Sequence, residues 1–298
     1  MRITTLAMAL AAIAACGDNG STASDHPDAS APTPDAPGTP DAAGSVDAAG
    51  SADAPAPPDA TPGPDAPPAV PTAFKVTSLE LLDPHVMAPD GCRVSGDLTS
   101  FVNTLVAGTF MDADRDGFLD FAPVMVFRPL SQTDGATPAD FVVARCTAAS
   151  PTTCSAGGAM PVAYTATSQA AGTCLAPLAD TTGGYTPPVA ATSGPCFATD
   201  ERMLSLSLSA IDVKLEKTSI AATYDGAPAT RVTHGLLRGF MTETVAEMTQ
   251  IEQLGQPLAA LLPGSRTNNC TSDLDILDGV RGWWFYLSFT AQQVTWTE

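Results

Sequence analysis

Gly282-Trp283-Trp284-Phe285-Tyr286-Leu287-Ser288-Phe289 is the stretch that decides the fold class. In an extended chain, Trp283, Phe285, Leu287 and Phe289 fall on one face, and Trp284 and Tyr286 on the other. Shorter segments repeat the alternation. Leu204, Leu206 and Leu208 oppose Ser205 and Ser207. Ile211, Val213 and Leu215 continue at period two, as do Ile220, Ala222 and Tyr224 after a break. Near the start of this region Phe74 and Val76 alternate with Lys75 and Thr77. Leu79 and Leu81 then take the other parity, which suggests a bulge near Ser78 or two short strands. Val124 to Phe127 is apolar throughout and reads as a buried strand between Pro123 and Pro129. Val232 to Met241 reads as another, loosened by Gly235 and Gly239. Alternation with one polar face favours antiparallel sheets. The expected fold is therefore mainly β: an antiparallel β-sandwich or jelly-roll-like domain with two or three helices at its edge.

Those helices have their own signals. Asp97 reads as an N-cap, with Leu98, Phe101, Val102, Leu105 and Val106 following at helical spacing up to Gly108. Thr244-x-x-Glu247 is a capping-box pattern, with Met241, Val245, Met248 and Ile251 as the apolar stripe and Gly255 as the stop. Pro257 to Leu262 suits one more short turn. Residues 131–200 are rich in Ala, Thr, Gly and Pro and read as short strands and long loops.

Between the first helix and the buried strand lies Asp112-Ala113-Asp114-Arg115-Asp116-Gly117-Phe118-Leu119-Asp120. Side chains at positions 1, 3 and 5 converge when the chain wraps tightly, and Gly at position 6 permits the turn. The stretch resembles the Asp-x-Asp-x-Asp-Gly loops of EF-hands, dockerins and thrombospondin type 3 repeats over nine residues. The resemblance implies calcium as cofactor, with Asp112, Asp114, Asp116 and Asp120 as side-chain ligands and Phe118 as a backbone ligand. It stops at position 12, where Pro123 stands in place of a bidentate Glu. The remaining ligands must then come from water or another segment. Without a cation the stretch is a solvated acidic turn. Asp273, Asp275 and Asp278, before Gly279, form a second acidic cluster. It reads as a polar turn before the last strand, as a second cation site, or as the missing ligands of the first.

Composition divides the chain. Residues 1–15 carry Arg2 and an apolar run from Leu6 to Ala15, too short to span a bilayer and suited to an export signal. The run ends Ile13-Ala14-Ala15-Cys16, which resembles the lipobox of bacterial lipoproteins. That resemblance implies cleavage before Cys16 and its acylation as a lipid anchor in a bilayer. An ordinary signal peptide ending near a Cys is the alternative. Residues 16–72 hold nine Asp and no Lys or Arg, with Asp-Ala recurring every six residues from Asp35 to Asp65. Too few branched apolar residues are present to build a core, so this stretch is expected to be a disordered tether. Fully extended, it reaches roughly 170 Å.

Residues 73–298 hold 23 acidic and 12 basic side chains. That balance disfavours nucleic acid and anionic membrane surfaces as partners. Six Cys follow Cys16, an even number that argues for disulfides in an exported chain. Cys146–Cys154 and Cys174–Cys196 are the favoured local pairs, leaving Cys92–Cys270. As a whole, the lipobox, the Asp/Ala/Pro tether and the Cys-bearing β domain resemble uncharacterised surface lipoproteins of myxobacteria-type bacteria. The resemblance implies an exported protein anchored in a membrane, the outer membrane facing periplasm or cell surface.

No catalytic motif is present: no Gly-x-Ser-x-Gly, His-Glu-x-x-His, phosphate loop or Gly-x-Gly-x-x-Gly. His85 and His234 stand alone in the domain, a pattern commoner for structural histidines. Trp284 and Tyr286 can serve as an aromatic face for a glycan or protein ligand, although packing is the commoner use of such residues. Two functions stay open. One is a calcium-stabilised, non-catalytic binding or structural module. The other is a secreted hydrolase, such as a glycan-acting one, with carboxylates brought together only by the fold.

Overall fold

The computed structural model describes residues 70–88, 96–208, 211–252, 254–268, 270 and 273–298. The expected signal at 1–15, the anchor Cys16, nearly all of the tether at 16–72, and Cys92 lie outside the described residues.

The domain is mainly β. The strands are β1 (Thr72–Asp83), β2 (Pro123–Phe127), β3 (Gly135–Val143), β4 (Arg145–Cys146), β5 (Thr153–Ser155), β6 (Val162–Gln169), β7 (Thr173–Leu175), β8 (Thr192–Ser193), β9 (Cys196–Thr199), β10 (Arg202–Leu208), β11 (Ile211–Gly226), β12 (Ala229–Thr242), β13 (Gln250–Ile251), β14 (Gln256–Pro257), β15 (Asp275–Leu277) and β16 (Val280–Thr297). Two helices, α1 (Thr99–Gly108) and α2 (Glu243–Met248), and a 3-10 turn at Leu258–Leu261 join them among the described residues. Twelve strands share one sheet, in the order β1-β2-β3-β6-β9-β11-β12-β16, with β16 pairing back onto β1. All eight of these pairings are antiparallel. The eight strands thus form a closed ring, and the two layers expected from the sequence are continuous with each other.

The decisive stretch behaves as its alternation requires. β16 runs for 18 residues and pairs with β12 on one side and β1 on the other. Trp283, Phe285, Leu287 and Phe289 point into the ring, where they meet Phe74, Phe127, Phe197 and Ile220. The bulge near Ser78 is present as a register shift between Val76 and Ser78. The break after Leu215 is also a bulge. Lys217 adopts a φ of 51°, and β11 continues through it as one strand. Gly235 is required by packing: a Cβ there would lie 2.6 Å from the Phe289 ring and from its carbonyl oxygen.

Both helices depart from expectation in detail. Asp97 accepts from the Thr99 amide at 2.8 Å but sits one residue before the N-cap, Leu98. Val102 and Val106 are buried, whereas Phe101 faces solvent because the buried stripe is narrower than the apolar spacing suggests. α2 is only six residues long. Its cap is Thr242, whose hydroxyl accepts from the Val245 amide, rather than Thr244. Met241 belongs to β12, which runs on to Thr242 and takes the first residue of the expected stripe, and Met248 at the end of α2 is exposed.

Two of the expected disulfides form, Cys146–Cys154 and Cys174–Cys196. Cys270 is also disulfide-bonded; Cys92, its expected partner, is not among the described residues. One end of the ring is covered by α1. Between them is an apolar cavity of about 50 Å³, whose lining includes Val86, Val102, Val106, Leu206, Leu215 and Phe285. Val102→Ile places one more methylene in that space and is expected to add about 0.8 kcal/mol of stability. The urea midpoint should rise with no change in the denaturant slope.

Candidate functional site

The acidic loop leaves the C-terminal end of α1 and enters β2. Arg115 and Gly117 take positive φ values, 63° and 90°, which bend the loop back on itself. The Asp116 amide donates to Asp112 Oδ1 at 3.0 Å and Asp114 Oδ1 at 3.1 Å, and the Gly117 amide to Asp112 Oδ2 at 3.0 Å. The carboxylates of Asp112, Asp114 and Asp116 are thereby gathered, with one oxygen of each within 4.8 Å of the others. Asp120 closes the loop by accepting from the Ala113 amide. Phe118 does not join through its ring, which lies under the Arg145 guanidinium at 3.7 Å. Its backbone bridges to Thr147, and the Leu119 amide donates to the Cys146 carbonyl. The loop is therefore fastened to the hairpin that the Cys146–Cys154 disulfide holds. Below it, Leu119, Ala122, Val124, Cys154 and Trp296 pack as a separate apolar cluster. Beside it opens a concavity of about 430 Å³ lined by Asp114, Asp116, Asp120, Arg145 and Gly157, among others. Pro123 is the first residue of the buried β2 and offers no oxygen ligand from its side chain.

The second acidic cluster is placed elsewhere, and its three carboxylates do not gather as those of the Asp112 group do. Among the described residues, no other three His, Cys, Asp or Glu side chains gather as closely as the Asp112 group. Asp273 accepts a short hydrogen bond from the Tyr185 hydroxyl, and Asp275 accepts from the Trp284 amide at 3.1 Å. Asp278 occupies the β15–β16 turn, with a φ of 52°. The surprise is Asp83, at the end of β1, which no sequence signal singles out. It is 2% exposed and accepts from the Gly183 amide at 2.7 Å. Burial, and then the nearby Asp273 and Asp275, push its carboxyl up to about 7, against the partial relief from Gly183. Burial likewise raises Asp275 to about 6 and raises Asp273. His85 stacks flat on Tyr185 with ring centroids 3.5 Å apart and contacts Asp97 at 2.6 Å. Burial pushes the Asp97 carboxyl up, but bonds from Thr99 and the neighbouring His85 outweigh it and hold it low. His234 sits exposed in a bulge of β12, with no acid beside it among its described bonds.

Trp284 and Tyr286 do share the outer face, but they are not an open platform. Both are buried beneath residues 176–191, which run from β7 to β8. Leu178 and Val189 of that loop pack on Leu236, Phe240 and Trp284. The Tyr286 hydroxyl accepts from the Leu178 amide at 3.0 Å and forms a short bond with Thr181. Outward-facing aromatics read the same whether solvent or a loop covers them, so sequence alternation could not reveal the cover.

Comparison of the chain with known families, characterised proteins and solved structures finds no match.

The carboxyls of Asp83, Asp273 and Asp275 keep their protons to a higher pH in the folded chain than in the unfolded one. Their stabilisation is complete below about pH 4 and is lost as pH rises to about 7. For Asp83 alone the ceiling is about 4 kcal/mol. Urea titrations should therefore find the Asp83→Asn variant gaining stability relative to wild type between pH 4 and pH 7.

Proposed function

We propose that the chain is an exported lipoprotein, anchored in a bilayer through acylated Cys16. It presents a calcium-stabilised β domain with a binding or structural role and no catalytic one. Its place is the outer membrane, facing periplasm or cell surface, and its ligand class is glycan or protein rather than nucleic acid. The observation that carries the calcium reading is the convergence of Asp112, Asp114 and Asp116 in a loop closed by Asp120. The donor set suits a hard cation with oxygen ligands, and an incomplete loop suits weak extracellular binding at about 10⁻⁴ to 10⁻³ M. Bound calcium would tie the end of α1 to the start of β2 and neutralise crowded charge.

In millimolar calcium the gain is expected to be about 1 kcal/mol. Calcium should raise the wild-type melting temperature, EDTA should reverse the rise, and Asp114→Ala should abolish it. A wild-type melting temperature indifferent to both would falsify the calcium reading. For the anchor, Cys16→Ser should shift the protein out of the detergent phase or leave its signal uncut. An unchanged mature mass and unchanged partitioning would contradict acylation.

The second reading, a secreted hydrolase with a dispersed carboxylate site, is favoured by one observation. Asp273 and Asp275 lie close enough to raise the affinity of Asp83 for protons, and Asp273 that of Asp275, away from the acidic loop. Against it, Asp83 is covered and cannot touch a substrate while residues 176–191 stay in place. Glycan-array binding set beside a panel of hydrolase substrates separates the two readings.

A further inference from the structure

One level of the outer surface is organised across three strands. Asp83 of β1 pairs with Tyr286 of β16, which pairs with Arg238 of β12. Each of these three residues holds the loop at 176–191. Asp83 accepts from the Gly183 amide, Tyr286 accepts from the Leu178 amide, and Arg238 Nη1 donates to the Ala176 carbonyl at 3.0 Å. The ends of the loop are fixed differently. β7 pairs with β8, the Cys174–Cys196 disulfide ties β7 to β9, and Thr192 bonds the His234 carbonyl. A loop of this length with its ends together is an Ω-loop, a form whose body can lift while its base stays put. Its tip, Gly183-Gly184-Tyr185, is held by two hydrogen bonds, Gly183 to Asp83 and Tyr185 to Asp273, and by the stack of the Tyr185 ring on His85.

We propose that residues 176–191 form a lid over an aromatic floor of Phe240, Trp284 and Tyr286, shut in acid and loosened toward neutral pH. The aromatic face expected from the sequence is then present but gated. The groups around Asp83 account for the direction. Tyr286 and Arg238 face it along the sheet, with Glu201 beyond, paired to Arg238 at 3.5 Å. Asp273 faces it from the segment leading into β15, Asp275 from the start of β15, Tyr185 from the lid, and His85 and Asp97 from the approach to α1. Arg238 is engaged with Ala176, Glu201 and the Trp284 ring, and no ion pair joins Asp83, Asp273 or Asp275 to a Lys or Arg among the described residues. As pH rises they ionise together, and three like charges confined under the lid tip repel. Lifting the tip returns Asp83 to water, where ionisation is easier.

The lid's own amides report its opening. Amide hydrogen exchange of Gly183 and Leu178, corrected for intrinsic rates, is followed by NMR in the full chain from pH 5 to pH 8. The opening constant at Gly183 should rise at least roughly ten-fold between pH 5 and pH 7, then level off. Asp83→Asn keeps an acceptor for the Gly183 amide and removes the charge, so its opening constant should stay flat. Tyr185→Phe, which removes the bond to Asp273, should raise opening at every pH and keep the pH dependence. The proposal is overturned if wild-type Gly183 protection is constant across this range, or if Asp83→Asn retains the wild-type profile. It also fails if central β12 and β16 amides change in parallel, because the motion is then global unfolding.

Discussion

The pairing of β1 with β16 is the constraint on which the rest depends. Without it the sheet has two free edges at its first and last long strands, each a row of unsatisfied amides and carbonyls. With it the eight strands close, and the alternate side chains of β16 face an enclosed core rather than a slot open along one side. Closure also sets the site geometry. It brings Asp83 level with Tyr286, and Tyr286 level with Arg238, which makes the row that holds the surface loop. The pairing joins residues more than 200 positions apart, a contact of high loop-closure cost.

The ring has little outer surface free of cover on the sides that matter. One apolar patch, around Val124 and Val126, lies under the acidic loop and the Cys146–Cys154 hairpin. Another, around Phe240 and Trp284, lies under residues 176–191, tied by Cys174–Cys196. Each of these two disulfides fixes the base of a covering segment. The same arrangement serves two electrostatic situations. The acidic loop crowds carboxylates at the exposed surface, where a cation can reach them. The lid crowds them beneath its tip, where burial raises their affinity for protons instead.

Much of the fold was legible because the strands are amphipathic in the simplest way. Leu204, Leu206 and Leu208 against Ser205 and Ser207 leave little choice of face, and the parity switch at Ser78 is the bulge that the register requires. The helices were harder. Met241, Val245, Met248 and Ile251 fit a helical stripe, yet pairing of β12 with β16 extends to Thr242 and overrides it. The acidic loop was legible because its spacing encodes a geometry within nine residues. Asp83 was not, because what makes it unusual is burial beside two carboxylates roughly 190 positions away, and no local pattern carries that. The cover over Trp284 and Tyr286 was hidden for the same reason.

The central claim is that the acidic loop is a calcium site. A crystal grown in 10 mM calcium, with anomalous scattering measured for that ion, tests it most directly. The account predicts one ion bound by oxygens of Asp112, Asp114 and Asp116 at about 2.3 to 2.6 Å, with water completing the shell where Pro123 supplies nothing. A loop with the same backbone and no anomalous peak at saturating calcium, or an ion held only by other residues, would contradict it.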